Sequence, residues 1–399
     1  MKRFLSLLFV LAILVSACAP AVTSTIAPEA SEPAATGTEE PQAQLQAQAV
    51  QNTPLPAVAE APIIESPAIV SIQMLDEVNG WALTEEQVVR TNDGGVTWYD
   101  VTPKNLKDAG YLVNIDFLDA NTAWVQFPDM NKYPNGGTLY HTTDGGLTWE
   151  SFSTPFSGGS IQFIDSQNGW MMSDLGVGAG SMAVSVFQTS DAGKTWNRTY
   201  TNDPNVAEAS DTLPLGGIKN LILPLNTKTA WIGGVVYAPG QTYLFRSDDN
   251  GKTWVNINLS LPQEAAGSEL SVIGMVFISS KTGVLAVRVA SDTPKTIVYI
   301  SQDGGNTWTQ SDVSFEGYGL LETPSENEMV FYVNDQFYVT KDAGVTVQEI
   351  VPDIKFGDTI VDMSFANAQT GWVVVSDISG KYILYKTTDS GSTWTIQSQ

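Results

Sequence analysis

Short stretches of alternating apolar and polar side chains recur along the chain from about residue 66 to its end. Alternation with a period of two is typical of a β-strand that buries one face. In one set of stretches an aromatic or apolar residue precedes a position that is often polar. The apolar members are Val89, Tyr140, Phe187, Phe245, Tyr299, Tyr338 and Tyr385, and the polar residues that follow five of them are Arg90, His141, Gln188, Arg246 and Lys386. The pattern predicts an all-β chain of half-buried strands.

A short string follows each of these strands and occurs seven times. It reads Ser/Thr-x-Asp-x-Gly-x-Thr-Trp, and only the copy at residues 340–347 departs from it, with Val347 in place of Trp. Successive copies lie 39 to 58 residues apart, which suits one four-stranded unit per repeat. We therefore predict a seven-bladed β-propeller of four-stranded antiparallel blades over residues 63–399. Each string should form the turn between the third and fourth strands of its blade.

A second signature, a small residue followed by Trp, lies upstream of the strings. It occurs at Gly80–Trp81, Ala123–Trp124, Gly169–Trp170, Ala230–Trp231 and Gly371–Trp372, with Gly283–Val284 and Met329–Val330 as weaker copies. The strings resemble the Asp-box, or BNR, repeats of sialidase-like propellers. Their pairing with an upstream Gly-Trp is most similar to the photosystem II stability/assembly factor family. This resemblance implies the propeller fold and a role in protecting or assembling a membrane protein complex.

The Asp residues of the boxes are predicted to be structural; they are Asp93, Asp144, Asp191, Asp249, Asp303, Asp342 and Asp389. Each carboxylate can accept backbone N–H bonds inside its own turn, and the Gly of the box can adopt a positive φ. A calcium loop needs alternating oxygen ligands and a closing Glu, which none of the copies has. Trp at fixed repeat positions indicates core packing more than a sugar-binding row. We expect no metal and no cofactor.

The first residues are typical of a secretion signal. Basic Lys2 and Arg3 precede an apolar run at residues 4–15 that is too short to span a bilayer comfortably. The sequence Val-Ser-Ala-Cys that ends at Cys18 resembles the lipobox of bacterial lipoproteins. The resemblance implies that residues 1–17 are a lipoprotein signal peptide and that Cys18 is lipidated. It also implies export and anchoring to the outer side of the bacterial cell membrane, or to the outer membrane if the cell has one.

Residues 18–62 are predicted to form a lipidated, disordered tether. Residues 19–62 contain twelve Ala, seven Pro and five Glu, with no Lys, Arg or aromatic residue. Such a composition cannot bury enough apolar surface to offset the entropy lost on ordering. The tether should therefore hold the propeller roughly 35–40 Å from the bilayer.

The chain carries 43 acidic and 19 basic residues in a length of 399, for a formal charge of −24. This charge disfavours a phosphate-binding surface, so nucleic acid is not an expected partner. A protein partner should dock through a neutral or basic surface, while the membrane is contacted through Cys18. With one cysteine the chain has no intramolecular disulfide framework, and we expect a monomer.

The repeat lengths vary on one face of the predicted propeller. The loops between second and third strands and the connectors between blades share this face, called here the insertion face, which lies opposite the Asp boxes. Its longest loops are at residues 127–137, 173–182, 199–217 and 260–268. Candidate partner-binding residues in or beside these loops are Phe127, Met130, Tyr133, Met182 and Tyr200. The alternative is that the loops are solvated and bind no partner.

Three kinds of enzyme site are alternatives to a binding module. A site like that of the resembled sialidases needs three clustered Arg, yet Arg90 and Arg246 occupy equivalent positions in separate blades. The single histidine, His141, lies beside a box, so no Ser-His-Asp set is expected. A glycoside hydrolase or carbohydrate-binding propeller of the Asp-box type stays open, since it needs only two carboxylates across a cleft. The prediction is a lipid-anchored, non-catalytic protein-binding or membrane-complex assembly module.

Overall fold

The computed structural model describes residues 61–106 and 109–398, and these form an all-β structure with one short α-helix. The predicted signal peptide, Cys18 and nearly all of the predicted tether lie outside the described residues. Strand β1 spans Ile63–Ile64, and helix α1 spans Ala109–Leu112. A single turn of 3-10 helix spans Gln263–Ala265.

The other described strands form seven four-stranded antiparallel units, blades 1 to 7. Blade 1 contains β2 (Ile69–Met74), β3 (Gly80–Thr84), β4 (Val88–Thr91) and β5 (Trp98–Asp100), and blade 2 contains β6 (Asn114–Phe117), β7 (Ala123–Pro128), β8 (Gly137–Thr142) and β9 (Glu150–Thr154). Blade 3 contains β10 (Gly159–Phe163), β11 (Gly169–Gly178), β12 (Ser181–Thr189) and β13 (Asn197–Thr201), and blade 4 contains β14 (Ile218–Pro224), β15 (Ala230–Val236), β16 (Tyr243–Ser247) and β17 (Val255–Asn256). Blade 5 contains β18 (Glu269–Phe277), β19 (Gly283–Ala290), β20 (Lys295–Ser301) and β21 (Thr309–Glu316), and blade 6 contains β22 (Leu320–Glu322), β23 (Met329–Val333), β24 (Gln336–Thr340) and β25 (Gln348–Ile350). Blade 7 contains β26 (Ile360–Phe365), β27 (Gly371–Ser376), β28 (Tyr382–Thr387) and β29 (Thr395–Ser398).

Consecutive strands of each blade pair antiparallel, and every Asp box lies between the third and fourth strands. Blades 4 and 5 are also joined through the backbone, because the end of β15, the second strand of blade 4, pairs with β18, the first strand of blade 5, at Val235–Ser271 and Val236–Leu270. The all-β class and the four-stranded antiparallel blades predicted from the repeats are therefore confirmed. The predicted placement of the boxes agrees with the strand bounds.

The core of the described residues is divided into seven hydrophobic clusters, one in each seam between neighbouring blades. A seam is named here by its two blades. The upstream Trp of one blade and the box Trp of the next enter the same seam, as Trp231 and Trp308 do in seam 4/5. The upstream Trp residues are at most 1% exposed: Trp81, Trp124, Trp170, Trp231 and Trp372. The prediction that these indoles build the core is confirmed.

Seam 7/1 joins the first and last blades without exchange of a strand. The last strand, β29, pairs with β28 of its own blade. Across the seam, Asp362 accepts hydrogen bonds from the hydroxyl of Ser71 at 2.8 Å and the amide of Ile72 at 2.9 Å. The indole of Trp372 donates to the carbonyl of Gly94 at 3.0 Å. Side-chain contacts therefore hold the two blades together.

Candidate functional site

Each Asp box is a turn held by its own side chains. In all seven copies the first Ser or Thr hydroxyl donates to the Asp Oδ1 at 2.7–2.9 Å. The same Oδ1 accepts the amide of the Thr four residues on at 2.8–2.9 Å. In six copies that Thr hydroxyl also donates to Oδ2. The carboxylates are thus used inside their turns, as a structural role requires.

The box at Asp303 shows the strength of these bonds, since the amide and hydroxyl of Thr307 lower the pKa of Asp303 to about 2. We expect Asp303→Ala to reduce the free energy of unfolding by about 1–2 kcal/mol, because its donors lose a charged acceptor. Urea denaturation at pH 7 measures the loss. Asp292→Ala, at an exposed acid in a loop of the same blade, should change stability by less than about 0.5 kcal/mol. Equal losses in the two variants would contradict this role.

The polar residue before a box joins neighbouring blades. The Lys386 ammonium lies 4.6 Å from the ring centroid of Trp372 and donates to the carbonyl of Gly94 in the next blade at 3.2 Å. The Arg246 guanidinium lies 5.0 Å from the ring centroid of Trp231. Its Nη1 also donates a hydrogen bond to Asn306 Oδ1, in the box of blade 5, at 2.7 Å. These cations therefore contribute to seam packing.

Arg90 and His141 occupy the same repeat position in blades 1 and 2. Arg90 is fully buried over the ring of Trp81, and burial lowers the pKa of its guanidinium to about 10. His141 stacks on Trp124 with ring centroids 4.8 Å apart, and burial lowers its pKa. Both side chains lie within seams.

Sequence reasoning missed three carboxyl groups on the first strands of blades, namely Asp116, Glu322 and Asp362. Each accepts a hydrogen bond from a backbone amide in the first strand of the next blade. The donors are Phe163 for Asp116, at 2.6 Å, Phe365 for Glu322 and Ile72 for Asp362. Burial raises the pKa of Asp116 to about 7. Burial and then the nearby charge of Asp362 raise the pKa of Glu322 to about 8. A protonated carboxyl could serve as a general acid, but these groups are engaged by the neighbouring blade.

A sequence signal for two of these groups exists. Asp116 lies seven residues before Ala123, the first residue of the upstream pair in blade 2. Glu322 lies seven residues before Met329, the equivalent residue in blade 6. At that position Ser364 accepts the amide of Met74 in the next blade at 2.9 Å. A polar side chain at this repeat position therefore indicates a contact between first strands.

The insertion face carries some of the predicted partner-binding residues but not all of them. Met130 is 64% exposed and Tyr133 is 48% exposed in the loop between β7 and β8. Phe127 is partly buried against the core of seam 1/2. Met182 and Tyr200 are 7% and 4% exposed, in the core of seam 3/4. That corrects the expectation for these two residues, because they belong to strands β12 and β13 and not to the loops.

Other exposed apolar residues on this face were missed by sequence reasoning. Val177 is 58% exposed in the long β11–β12 hairpin, and Tyr237 is 60% exposed in the loop between β15 and β16. These loops adjoin each other, since a Cβ built on Gly180 would lie 3.1 Å from the Tyr237 ring. The blade 2 loop adjoins blade 3 as well, where the charge of Asp174 acts on Tyr133. The surface is therefore continuous across blades 2 to 4.

A buried cation supports this surface from below. Lys219 is 2% exposed, and its ammonium donates to the carbonyls of Met182, Leu215 and Gly217 at 2.8, 2.8 and 3.0 Å. Burial lowers the pKa of Lys219 to about 8, so the amine remains mostly charged at neutral pH. It fixes the connector from blade 3 to blade 4 against the β11–β12 hairpin.

Among the described residues, no group of three or more His, Cys, Asp or Glu could hold a metal ion. No helix of residues 61–106 and 109–398 is long and apolar enough to cross a membrane. The described arginines lie on four different blades: Arg90, Arg198, Arg246 and Arg288.

The sheet arrangement and the seam packing define the chain as a β-propeller. Residues 90–385, most of its length, match the DUF6242 beta propeller domain. The chain therefore belongs to this family.

Two curated relatives are xyloglucanases. One, from a Paenibacillus species, is 24% identical over 281 residues, which cover 60% of this chain and 25% of the relative. The other is a probable oligoxyloglucan-reducing end-specific xyloglucanase of Neosartorya fischeri, 27% identical over 176 residues, which cover 42% of this chain and 19% of that protein. The chain thus spans a quarter or less of the length of these relatives.

Solved structures share the fold. The GH74 xyloglucanase from Xanthomonas campestris matches with a TM-score of 0.55 and 13% identity, covering 85% of this chain and 55% of that one. YCF48 from Cyanidioschyzon merolae matches with a TM-score of 0.51 and 17% identity, covering 82% of this chain and 97% of that one. At these identities the similarity shows the β-propeller fold alone.

Proposed function

We propose that this protein is a non-catalytic binding module whose insertion face docks a protein partner, in the manner of an assembly or stability factor. The observation that carries the proposal is a group of large exposed apolar residues on adjoining loops of this face. Met130, Val177 and Tyr237 are 58–64% exposed on adjoining loops. Exposed apolar groups that cluster on a soluble domain mark interaction surfaces.

The charge of the insertion face suits a neutral or basic partner. Its four longest loops contain six acidic residues and one basic residue, Lys132. That lysine is paired with Asp129 at 3.0 Å. A basic surface would be steered toward these loops and would meet apolar anchors on contact. Lys219 keeps the central loops in place, so little ordering is required on binding.

The extent of the match to known folds agrees with this proposal. The match covers 97% of YCF48 from Cyanidioschyzon merolae but 55% of the GH74 xyloglucanase. The match therefore extends over nearly all of YCF48 but only about half of the xyloglucanase. In the proposal, Cys18 carries lipid at the outer side of the membrane and residues 19–62 are the tether.

A glycoside hydrolase is the second candidate, favoured by the two xyloglucanase relatives. It would need a pair of carboxyl groups about 5–10 Å apart across an open cleft. The carboxyls with a raised pKa, Asp116, Glu322 and Asp362, instead bind the neighbouring blade. Release of reducing ends from xyloglucan by the purified full chain would favour the hydrolase over the binding module.

The binding proposal is tested by affinity capture from detergent-solubilised membranes of the source cell. The double variant Met130→Ser with Tyr133→Ser should recover at least tenfold less of a partner that the unmodified protein recovers, because the exposed anchors are lost. Val96→Ser is the matched control, since Val96 is 70% exposed on the opposite face. Equal recovery by the double variant and the unmodified protein would overturn the proposal.

A further inference from the structure

Seam 5/6 is the seam that contains no indole. Its upstream position is Val284 of blade 5, and its box position is Val347 of blade 6. Seam 6/7 has one Trp and the other five seams have two each, which accounts for all eleven. The cluster in seam 5/6 is built instead around Phe315, which stacks on Phe331 with ring centroids 4.0 Å apart.

In seam 5/6 a cavity lies beside each of the two positions at which the other repeats carry an indole, Val284 and Val347. One has a volume of about 370 Å³ and is lined by Val284, Met275 and Leu321, among others. The other has a volume of about 640 Å³ and is lined by Val347, Val345 and Tyr338. We call the second one the outer cleft. Replacing a large side chain by a small one in a packed seam contributes part of this space.

The outer cleft combines aromatic and valine side chains with a largely polar, acidic lining. Phe315 and Tyr338 line its interior, and Val345 is 82% exposed at its mouth. The charged residues that line it are all acidic: Asp312, Glu316 and Glu349. Strand β21, which borders the cleft, is eight residues long, and among the described strands only β20 pairs with it. In blade 1 the equivalent edge is paired with β1, so an outer edge can accept an extended segment.

We propose that the outer cleft binds a short extended segment of a partner protein that carries an aromatic side chain between basic residues. The aromatic ring occupies the space that an indole fills in six seams. The basic residues meet Asp312, Glu316 and Glu349. Residues 19–62 of this chain contain no aromatic, Lys or Arg, so the predicted tether does not match the cleft. This inference rests on the proposed binding function and adds a second contact site to it.

The test uses a fluorescein-labelled nine-residue peptide of alternating Lys and Val with a central Trp. Its affinity for the full chain is measured by fluorescence anisotropy. Val347→Trp restores the complete box and should fill the cleft, so the dissociation constant should rise at least tenfold while the melting temperature rises by a few degrees. Val255→Trp, at an exposed valine on the outer strand of blade 4, should change neither quantity. Peptide binding that Val347→Trp leaves unchanged would overturn the proposal.

A second variant covers the case in which Val347→Trp does not fold. The double variant Glu316→Gln with Glu349→Gln keeps the side-chain volume and should weaken the peptide at least fivefold at low salt. A control peptide with Ala in place of Trp should bind at least tenfold more weakly than the Trp peptide. Equal affinity of the two peptides would show charge attraction alone and would also overturn the proposal. Failure here, with partner capture still dependent on Met130 and Tyr133, would leave the proposed function standing without this cleft.

Discussion

Replacing Trp372 by Ala is expected to lower the free energy of unfolding by about 3–5 kcal/mol. The indole is fully buried in seam 7/1 and donates to the carbonyl of Gly94 at 3.0 Å. The Lys386 ammonium rests 4.6 Å from the same ring and would lose that contact. Blades 7 and 1 are distant in sequence and are joined by side chains, so a cavity there weakens the closure itself. Urea denaturation at pH 7 measures the change.

Trp149→Ala provides the comparison for this variant. Trp149 is a partly buried box Trp in seam 1/2, where blades 1 and 2 are consecutive along the chain. Its indole also donates to a backbone carbonyl, that of Val101, at 2.7 Å. A smaller loss of about 1–3 kcal/mol is expected, because less buried volume is removed. Equal losses would contradict the larger cost expected for the fully buried indole in seam 7/1.

The repeats predicted the fold because they record the turn geometry directly. A box such as that at Asp303 can close only a tight turn, and the Gly of each box has a positive φ in the structure. The indoles were identified as core because a large apolar side chain at a fixed repeat position must face the next repeat. The candidate surface was predicted less well. Met182 and Tyr200 were assigned to loops, whereas β11 and β12 extend as a long hairpin and β13 reaches Thr201.

The contacts between blades could not be predicted from single strands. Lys219 follows a Gly-rich connector and resembles an exposed polar residue of a strand end, yet three carbonyls enclose its ammonium. Arg90 occupies a position that alternation assigns to solvent, but the next blade covers it completely. Alternation describes the two faces of one blade. In a propeller both faces of a blade are covered by neighbouring blades. A polar residue on a strand can therefore lie in a seam as well as in solvent.

Glu322 should make stability depend on pH between about 4.5 and 8. Burial and then the charge of Asp362 raise its folded-state pKa from 4.5 to about 8. The folded state therefore keeps a proton that the unfolded state releases above about pH 4.5. Stability from this group is complete below pH 4.5 and is lost as the pH rises toward 8. The loss from pH 4.5 to pH 7 is about 3 kcal/mol.

Glu322→Gln is the variant that isolates this effect. The amide side chain has nearly the same volume and does not titrate, so the variant should lose less stability than the unmodified protein as the pH rises from 4.5 to 8. A residual slope remains from Asp116, whose pKa is raised to about 7, and from Asp362, whose pKa burial also raises, so Asp116→Asn should reduce it further. Glu86→Gln, at an exposed acid in a loop of blade 1, should leave the slope unchanged. The unfolding free energy of each variant is measured at several pH values. If it has the same slope against pH for Glu322→Gln as for the unmodified protein, Glu322 is ionised in the folded state. A freely ionised Glu322 would in turn remove the reason to treat this carboxyl as a protonated contact between blades 6 and 7.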